Sequence, residues 1–178
     1  MGDLKKLTTK DGSLSLYSLS YEEAFHDKDG ALRESTTKYL LPAQLEQFAN
    51  TERIVILDVC MGLGYNTGCI LEKLIESNIK IEWHGLEIDQ RPLKLALNEK
   101  IFQRIWSPKV LHFFNCLNKS GKWFEGFNEG TIHWGDARQK IYEIQDSLCF
   151  DLILLDPFSP QKCPELWSEE FILSLIHI

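Results

Sequence analysis

The sequence predicts an α/β protein built on a mostly parallel sheet. Three features carry that prediction. From residue 51 onward, continuous apolar runs alternate with segments whose apolar residues recur at helical spacing. A glycine-rich turn, Gly62-Leu63-Gly64, joins the first of those runs to the helix after it. Acidic residues then close the runs that follow, as Glu87, Asp136 and Asp156.

Residues 1–50 read as an N-terminal extension, and 51–178 as one α/β domain. In the extension, Ser13-Leu14-Ser15-Leu16-Tyr17-Ser18-Leu19 alternates polar and apolar residues, which predicts a short strand exposed on one face. Asp11-Gly12 and Asp29-Gly30 read as turns. A helix is expected over 36–48, with Leu40, Leu41, Leu45 and Phe48 on one side and Pro42 forcing a break or a late start.

In the second part, Arg53–Val59 is an uninterrupted apolar run, the pattern of a strand covered on both faces. A helix is expected over 66–77 and a second strand over 80–86. Pro92 suits a first helical turn, and Leu93, Leu97, Ile101 and Ile105 then predict one continuous helix. Pro108 opens another, with Val110, Phe113, Phe114 and Leu117 on its face. The glycine-bounded stretch 121–130 reads as a loop before a strand at 131–134. A helix near Ala137–Ile144, a fourth strand at 150–155 and a helix at 168–176 complete the order.

Composition narrows the function. The chain has 178 residues, 44% of them apolar, and a net charge of −7. That charge weighs against a broad phosphate-binding surface. No apolar run reaches the ~18–20 residues that span a bilayer, and Met1-Gly2-Asp3-Leu4-Lys5-Lys6 lacks a signal's apolar core, so a cytoplasmic protein is expected. The five cysteines form no C-x-x-C pair and read as reduced thiols. The histidines, His177 among them, show no metal spacing, so no metal is expected.

The chemistry clusters at the expected strand ends. Leu57-Asp58-Val59-Cys60-Met61-Gly62-Leu63-Gly64-Tyr65-Asn66 passes from a buried strand into a helix, and its glycines let a ligand approach bare backbone. Thr67 stands where a dinucleotide fingerprint has its third glycine. Asp58, placed before the glycines, suits S-adenosylmethionine better than a nicotinamide, near the cofactor's cationic methionine end; its structural alternative is to hold loop N–H groups. Glu87, with Asp89 as second choice, is placed to accept ribose hydroxyls. Asp136-Ala137 borders the expected adenine site, a position equally suited to a helix cap. Asp156-Pro157-Phe158 ends the fourth strand, and its prolines leave carbonyls free to face a substrate N–H. Asp156 is assigned orientation of an amine and proton acceptance, with Phe158 as a flat contact surface.

The Asp-Pro-Phe loop resembles that of methyltransferases acting on amino groups, and the larger pattern resembles one family. Asp11-Gly12-Ser13, Tyr21-Glu22-Glu23-Ala24-Phe25-His26 and Glu34-Ser35, then Gly62-Leu63-Gly64-Tyr65-Asn66, His84-Gly85-Leu86-Glu87-Ile88-Asp89 and Asp156-Pro157-Phe158-Ser159-Pro160, are similar to blocks of the tRNA 5-methylaminomethyl-2-thiouridine methyltransferases, the MnmC-type methyltransferase domain. The resemblance implies a class I, Rossmann-like fold, S-adenosylmethionine as cofactor and the aminomethyl nitrogen of a tRNA wobble uridine as acceptor. Tyr21, His26 and Glu34 are candidates on the substrate side, although His26 taken alone reads as a surface histidine.

Two departures stand out. Cys60-Met61 replaces an expected glycine-aromatic pair. Four strands are found where this fold normally has seven, so the last strands are expected to be missing, with the fourth strand left as an apolar edge. The oxidase domain fused to some members is also absent from the sequence. Two other readings stay open: an aminopropyltransferase of the spermidine-synthase type, and a degenerate nucleotide-binding domain without turnover.

Overall fold

The computed structural model describes residues 3–144 and 149–176; Met1, Gly2, His177 and Ile178 lie outside the described residues. The chain opens with an antiparallel sheet of β1 (Leu4–Thr8), β2 (Leu14–Ser18) and β3 (Glu23–Ala24), with β2 in the centre. The turn between β1 and β2 is held by Asp11, whose Oδ1 accepts from Ser13 N at 2.9 Å and from Thr9 Oγ1 at 2.7 Å. The sequence reading has no strand at β1, whose residues are mostly exposed and offer no apolar face to read. It also expects β2 to be exposed on one face, and the structure corrects this. Leu14, Ser15, Leu16 and Ser18 are all buried, because β2 is flanked by two strands and lies against Tyr65, whose hydroxyl accepts the Leu14 N–H at 3.1 Å.

The helix expected over 36–48 starts earlier and changes pitch. α1 (Ala31–Ser35) runs into a π-helical turn at Thr36–Leu40, where Leu41 N–H reaches Thr36 O at 3.0 Å. A 3₁₀ turn at Leu45–Phe48 follows. Pro42 stands between the two and has no N–H with which to continue the ladder.

The main sheet has the order β6-β7-β5-β4-β8. β4 (Arg53–Val59), β5 (Lys80–Glu87), β7 (Asn128–Trp134) and β8 (Leu152–Leu155) are parallel. Their register pairs Val59 with both Leu86 and Leu155, and Leu86 with His133. Four strand ends therefore form one rim, and residues after each strand meet there. β8 is an edge strand, as expected. The fifth strand, β6 (Lys122–Glu125), corrects the loop reading of 121–130: it forms an antiparallel hairpin with β7, turning at Gly126 with φ +63°. Only Trp123 of its four residues is buried, too short an alternation to announce a strand.

Helices α2 (Tyr65–Leu74), α5 (Pro108–Ser120), α6 (Ala137–Ile144) and α7 (Glu169–Ile176) fall where their apolar spacing places them. The helix predicted through Ile105 is instead two, α3 (Arg91–Leu97) and α4 (Lys100–Gln103), because Glu99 is extended at φ −105°, ψ 121°. The break turns Ile101 outward and buries Phe102, whose ring meets Tyr65 at 5.3 Å and Trp106 at 5.7 Å.

One apolar cluster joins the N-terminal sheet and α1 to β4, α2 and α5, with Leu16, Ala31, Ile54, Tyr65 and Phe114 in common packing. A second covers the other sheet face through Leu57, Val59, Ile141 and Phe171. Gly64 caps α2 at φ +94°, and a Cβ there would lie 2.6 Å from the Phe114 ring. Its glycine is thus required by packing as well as by backbone angle. Gly64→Ala is expected to destabilise the fold by about 2–4 kcal/mol, combining a left-handed L-residue with an overpacked core. Urea unfolding with tryptophan fluorescence measures this.

Candidate active site

A cavity of about 920 Å³ opens on the rim of strand ends, between the main sheet and the N-terminal hairpin. Of the residues nominated from sequence, Gly62, Glu87, Asp89, Asp156, Pro157, Phe158, Tyr21, His26 and Glu34 line it. Asp58, Gly64, Tyr65, Asn66, Asp136 and Ala137 do not line it directly.

Glu87 is the most tightly held. Its Oε2 accepts Gly62 N–H at 2.8 Å, and its Oε1 accepts the N–H groups of Ile88 and Asp89 at 2.7 and 2.9 Å. These donors bind a carboxylate that burial pushes above its usual pKa. Glu87, rather than Asp58, therefore holds the glycine loop. Asp89 pairs with Arg91, whose guanidinium also reaches Asp3 at 2.6 Å, tying the start of the chain to the cavity mouth.

Asp58 is fully buried, and its Oδ2 accepts the Thr67 hydroxyl at 2.5 Å. Thr67 Oγ1 in turn accepts Trp83 Nε1–H at 2.9 Å. Asp58 Oδ1 and Asn66 Oδ1 are buried with no hydrogen-bond partner among the described residues. Unpaired buried acceptors beside a cavity favour a ligand that brings donors. Asn66 points its amide at the reaction side, with Nδ2 donating to Asp156 Oδ2 at 2.7 Å.

Tyr65 serves the core, with its hydroxyl on β2. Asp136 caps α6: its Oδ1 accepts Arg138 N–H at 3.0 Å, and its carboxylate pairs with the Arg138 guanidinium at 2.5 Å. Ala137 is packed in the second apolar cluster.

On the opposite wall, Tyr21 stacks on Phe158 with centroids 4.4 Å apart and planes at 22°, and Phe25 meets the same ring edge-on at 5.0 Å. One face of Phe158 is thus covered by the extension. Glu23 holds this contact, accepting Ser159 N–H at 3.1 Å and Ser159 Oγ–H at 2.6 Å. His26 is half-buried rather than at the surface: its Nδ1 lies 3.1 Å from Ser15 Oγ and its ring meets Tyr65 edge-on. Burial lowers its pKa to about 4, which keeps it neutral near pH 7. Glu34 accepts Asp27 N–H at 2.6 Å and pairs with Lys38 at 2.5 Å.

Several participants escape sequence reading. Tyr39 donates to Leu155 O at 3.1 Å, beside Asp156, yet in sequence it sits among apolar helix residues. Glu23 could be found from its block Tyr21-Glu22-Glu23, whereas nothing local marks Arg91 or Cys163 as cavity residues. Cys60 lines the cavity at φ +66°, a left-handed conformation at the position where sequence reading expects glycine.

This arrangement, a glycine loop and carboxylates on the rim of a parallel sheet, defines a class I methyltransferase domain. Residues 104–178 match the model of a family described as S-adenosyl-L-methionine-dependent methyltransferases. An uncharacterized protein of Methanocaldococcus jannaschii is 31% identical over 168 residues, covering 92% of this chain and 44% of that protein. The tRNA 5-methylaminomethyl-2-thiouridine biosynthesis bifunctional protein MnmC of Azoarcus sp. is 28% identical, covering 85% of this chain and 25% of that protein. The crystal structure of MNMC2 from Aquifex aeolicus superposes with a TM-score of 0.79 at 28% identity, covering 97% of this chain and 55% of that one. Within its class, the chain is similar to the MnmC methyltransferases, and it spans about half or less of the length of these relatives. No helix among the described residues is long and apolar enough to cross a membrane, and no cluster of three or more metal-ligating side chains occurs among them.

Two outcomes follow from the loop's geometry. Burial pushes Asp58 up to about 7 from an unfolded value of 3.8. As pH rises, the unfolded chain loses this proton first, so the folded state holds more protons in between. This group's contribution to stability is full at low pH and is lost as pH climbs from 3.8 to about 7. Urea midpoints at pH 5 and pH 7.5 should show a smaller decline in Asp58→Asn than in the parent. Cys60→Gly should raise stability by about 1 kcal/mol through relief of the left-handed angle, read in the same assay.

Proposed function

We propose that this chain binds S-adenosylmethionine and methylates the aminomethyl nitrogen of a wobble uridine in tRNA. The observation that carries the reading is the meeting, in one cavity, of Glu87 and the glycine loop with Asp156-Pro157-Phe158. The names of the MnmC relatives supply the acceptor.

The residues present fit the cofactor. Asp58, Glu87 and Asp156 are carboxyl groups at neighbouring strand ends whose pKa values burial raises, and a cationic ligand would favour their charged forms. Glu87 has lone pairs beyond its three N–H bonds with which to take ribose hydroxyls. The unpaired oxygens of Asp58 and Asn66 suit the ammonium of the methionine end. When bound, S-adenosylmethionine supplies an electrophilic methyl group on a sulfonium.

The remaining chemistry belongs to the chain. An alkylamine with a pKa near ~10.4 is mostly protonated at pH 7 and must lose a proton before its nitrogen can act as a nucleophile. Asp156 lines the cavity and is placed to orient the amine and receive that proton. Phe158, stacked beneath Tyr21, walls the acceptor side and excludes water. Alignment of nitrogen with the methyl group supplies much of the rate. The five free cysteines suit the reducing cytoplasm. The matched family is described as S-adenosyl-L-methionine-dependent methyltransferases and the named relatives are MnmC proteins, which supports methyl transfer over aminopropyl transfer.

Calorimetric titration of this chain with S-adenosylmethionine tests the cofactor. Binding is expected, at least tenfold weaker in Glu87→Gln, with circular dichroism confirming that the variant folds. A folded, monodisperse chain that takes no cofactor would refute the proposal. Transfer of labelled methyl to tRNA bearing aminomethyluridine, but not to tRNA lacking the amine, tests the acceptor.

A further inference from the structure

Asp156 is held from two sides by residues outside its own loop. Asn66, in the first turn of α2, donates Nδ2–H to its Oδ2 at 2.7 Å. Tyr39 approaches from the π-helical turn Thr36–Leu40, donating its hydroxyl to the carbonyl of Leu155 at 3.1 Å and favouring the ionised form of the adjacent Asp156. A π-turn is an irregular segment of the kind often found at functional sites. Here it ends α1 with Tyr39 aimed across the cavity at a strand more than a hundred residues away. Asn66 is almost fully buried, and its other amide atom is unpaired among the described residues, so its orientation rests on the bond to Asp156.

We propose that Asn66 and Tyr39 are positioning residues that fix the Asp156 carboxylate, in its ionised and oriented form, at the acceptor side of the cavity. The inference rests on the role given to Asp156 above. The Asn66 donor favours the charged form and occupies one defined lone pair, while Tyr39 fixes the backbone carbonyl just before Asp156, leaving the other lone pairs to face the amine. The two residues oppose the burial that drives this carboxyl towards its protonated form. The charged and titratable groups around it are Glu34 and Lys38 from the α1 segment and Asp58 and Cys60 from β4 and its loop. Glu34 disfavours the charge on Asp156 and Lys38 favours it, and the two are paired with each other, so the neutral donors set the balance. Both oppose protonation of Asp156, the form that could not accept a proton from an amine.

Carboxyl carbon NMR of the chain, with the Asp156 signal assigned by Asp156→Asn, reads this directly. The Asp156 titration midpoint is expected to rise by roughly one to two pH units in Tyr39→Phe and in Asn66→Ala, the size of a hydrogen bond to a charged group. Tyr39→Phe keeps the ring in place, so it carries the test if Asn66→Ala does not fold. Midpoints unchanged in folded variants would overturn the proposal. In methyl-transfer assays of Tyr39→Phe, which removes no proposed cofactor contact, the acidic limb of kcat should move upward by the same interval, while the KM for S-adenosylmethionine holds. A chain that shows the NMR shift but binds no cofactor would refute the proposed function and leave the positioning intact.

Discussion

A single buried carboxylate, that of Glu87, fixes the rim on which the candidate site is built. It ends β5, yet it accepts an N–H from the glycine loop after β4 and two from the turn that leads into α3. Two separate crossovers are thereby tied at one point. Burying a charge without such bonds costs several kcal/mol, whereas three N–H donors satisfy it and stiffen both turns. The parallel register then carries the constraint outward, because Leu86 is level with Val59 and with His133. Once the rim is level, residues 58–60, 87–89 and 156–158 must converge.

Below that rim lies a chain of side chains with a different purpose. Trp83 donates to Thr67, and Thr67 donates to Asp58, which stays fully buried with one oxygen unpaired. The packing around it is close: Gly64 and Gly68 make room for the rings of Phe114 and Trp106, and Gly85 makes room for Trp83. An unsatisfied carboxylate in so closely packed a setting is a cost that a bound cation would remove. Cys60 adds a second cost, a non-glycine residue in the left-handed region at the cavity wall. Strain and unpaired charge fall on the same loop, as they do where a fold is shaped by its ligand.

The order of strands and helices after residue 51 was legible because each element is long enough to show its period. Arg53–Val59 is apolar throughout since both faces are covered, and Val110, Phe113, Phe114 and Leu117 are the buried face of α5. Reading failed where the period was too short or misleading. β6 buries one residue of four. The Leu93-Leu97-Ile101-Ile105 stripe looked continuous, but the chain turns at Glu99 and Phe102 takes the buried place. Glu87 and Asp156 line the cavity as strand-end carboxylates, whereas Asp136, read by the same rule, caps α6 and pairs with Arg138. The partners of Asp156 were not legible. Tyr39 and Asn66 reach Asp156 only because a π-turn and a helix start face the same strand end, a fact of tertiary geometry that no local pattern encodes.

The acceptor side shows why the N-terminal extension belongs to the site. The main sheet alone would leave Phe158 and Ser159 as the tip of a strand-end loop, open to water. Instead Glu23 takes both the N–H and the hydroxyl of Ser159, Tyr21 covers the Phe158 ring, and Lys162 pairs with Glu22 beside them. Trp167 closes the far side by donating to Phe158 O at 2.8 Å. The surface ion pair contributes little, but the partly buried ring stack and the doubly bonded serine hold a defined geometry. The sheet thus supplies the carboxylates, and the extension supplies a dry wall opposite them. Under the proposed function, an amine acceptor would lie between the two, facing Asp156 across from the Phe158 wall. Removing either half would leave carboxylates with no acceptor pocket, or a pocket with no carboxylates.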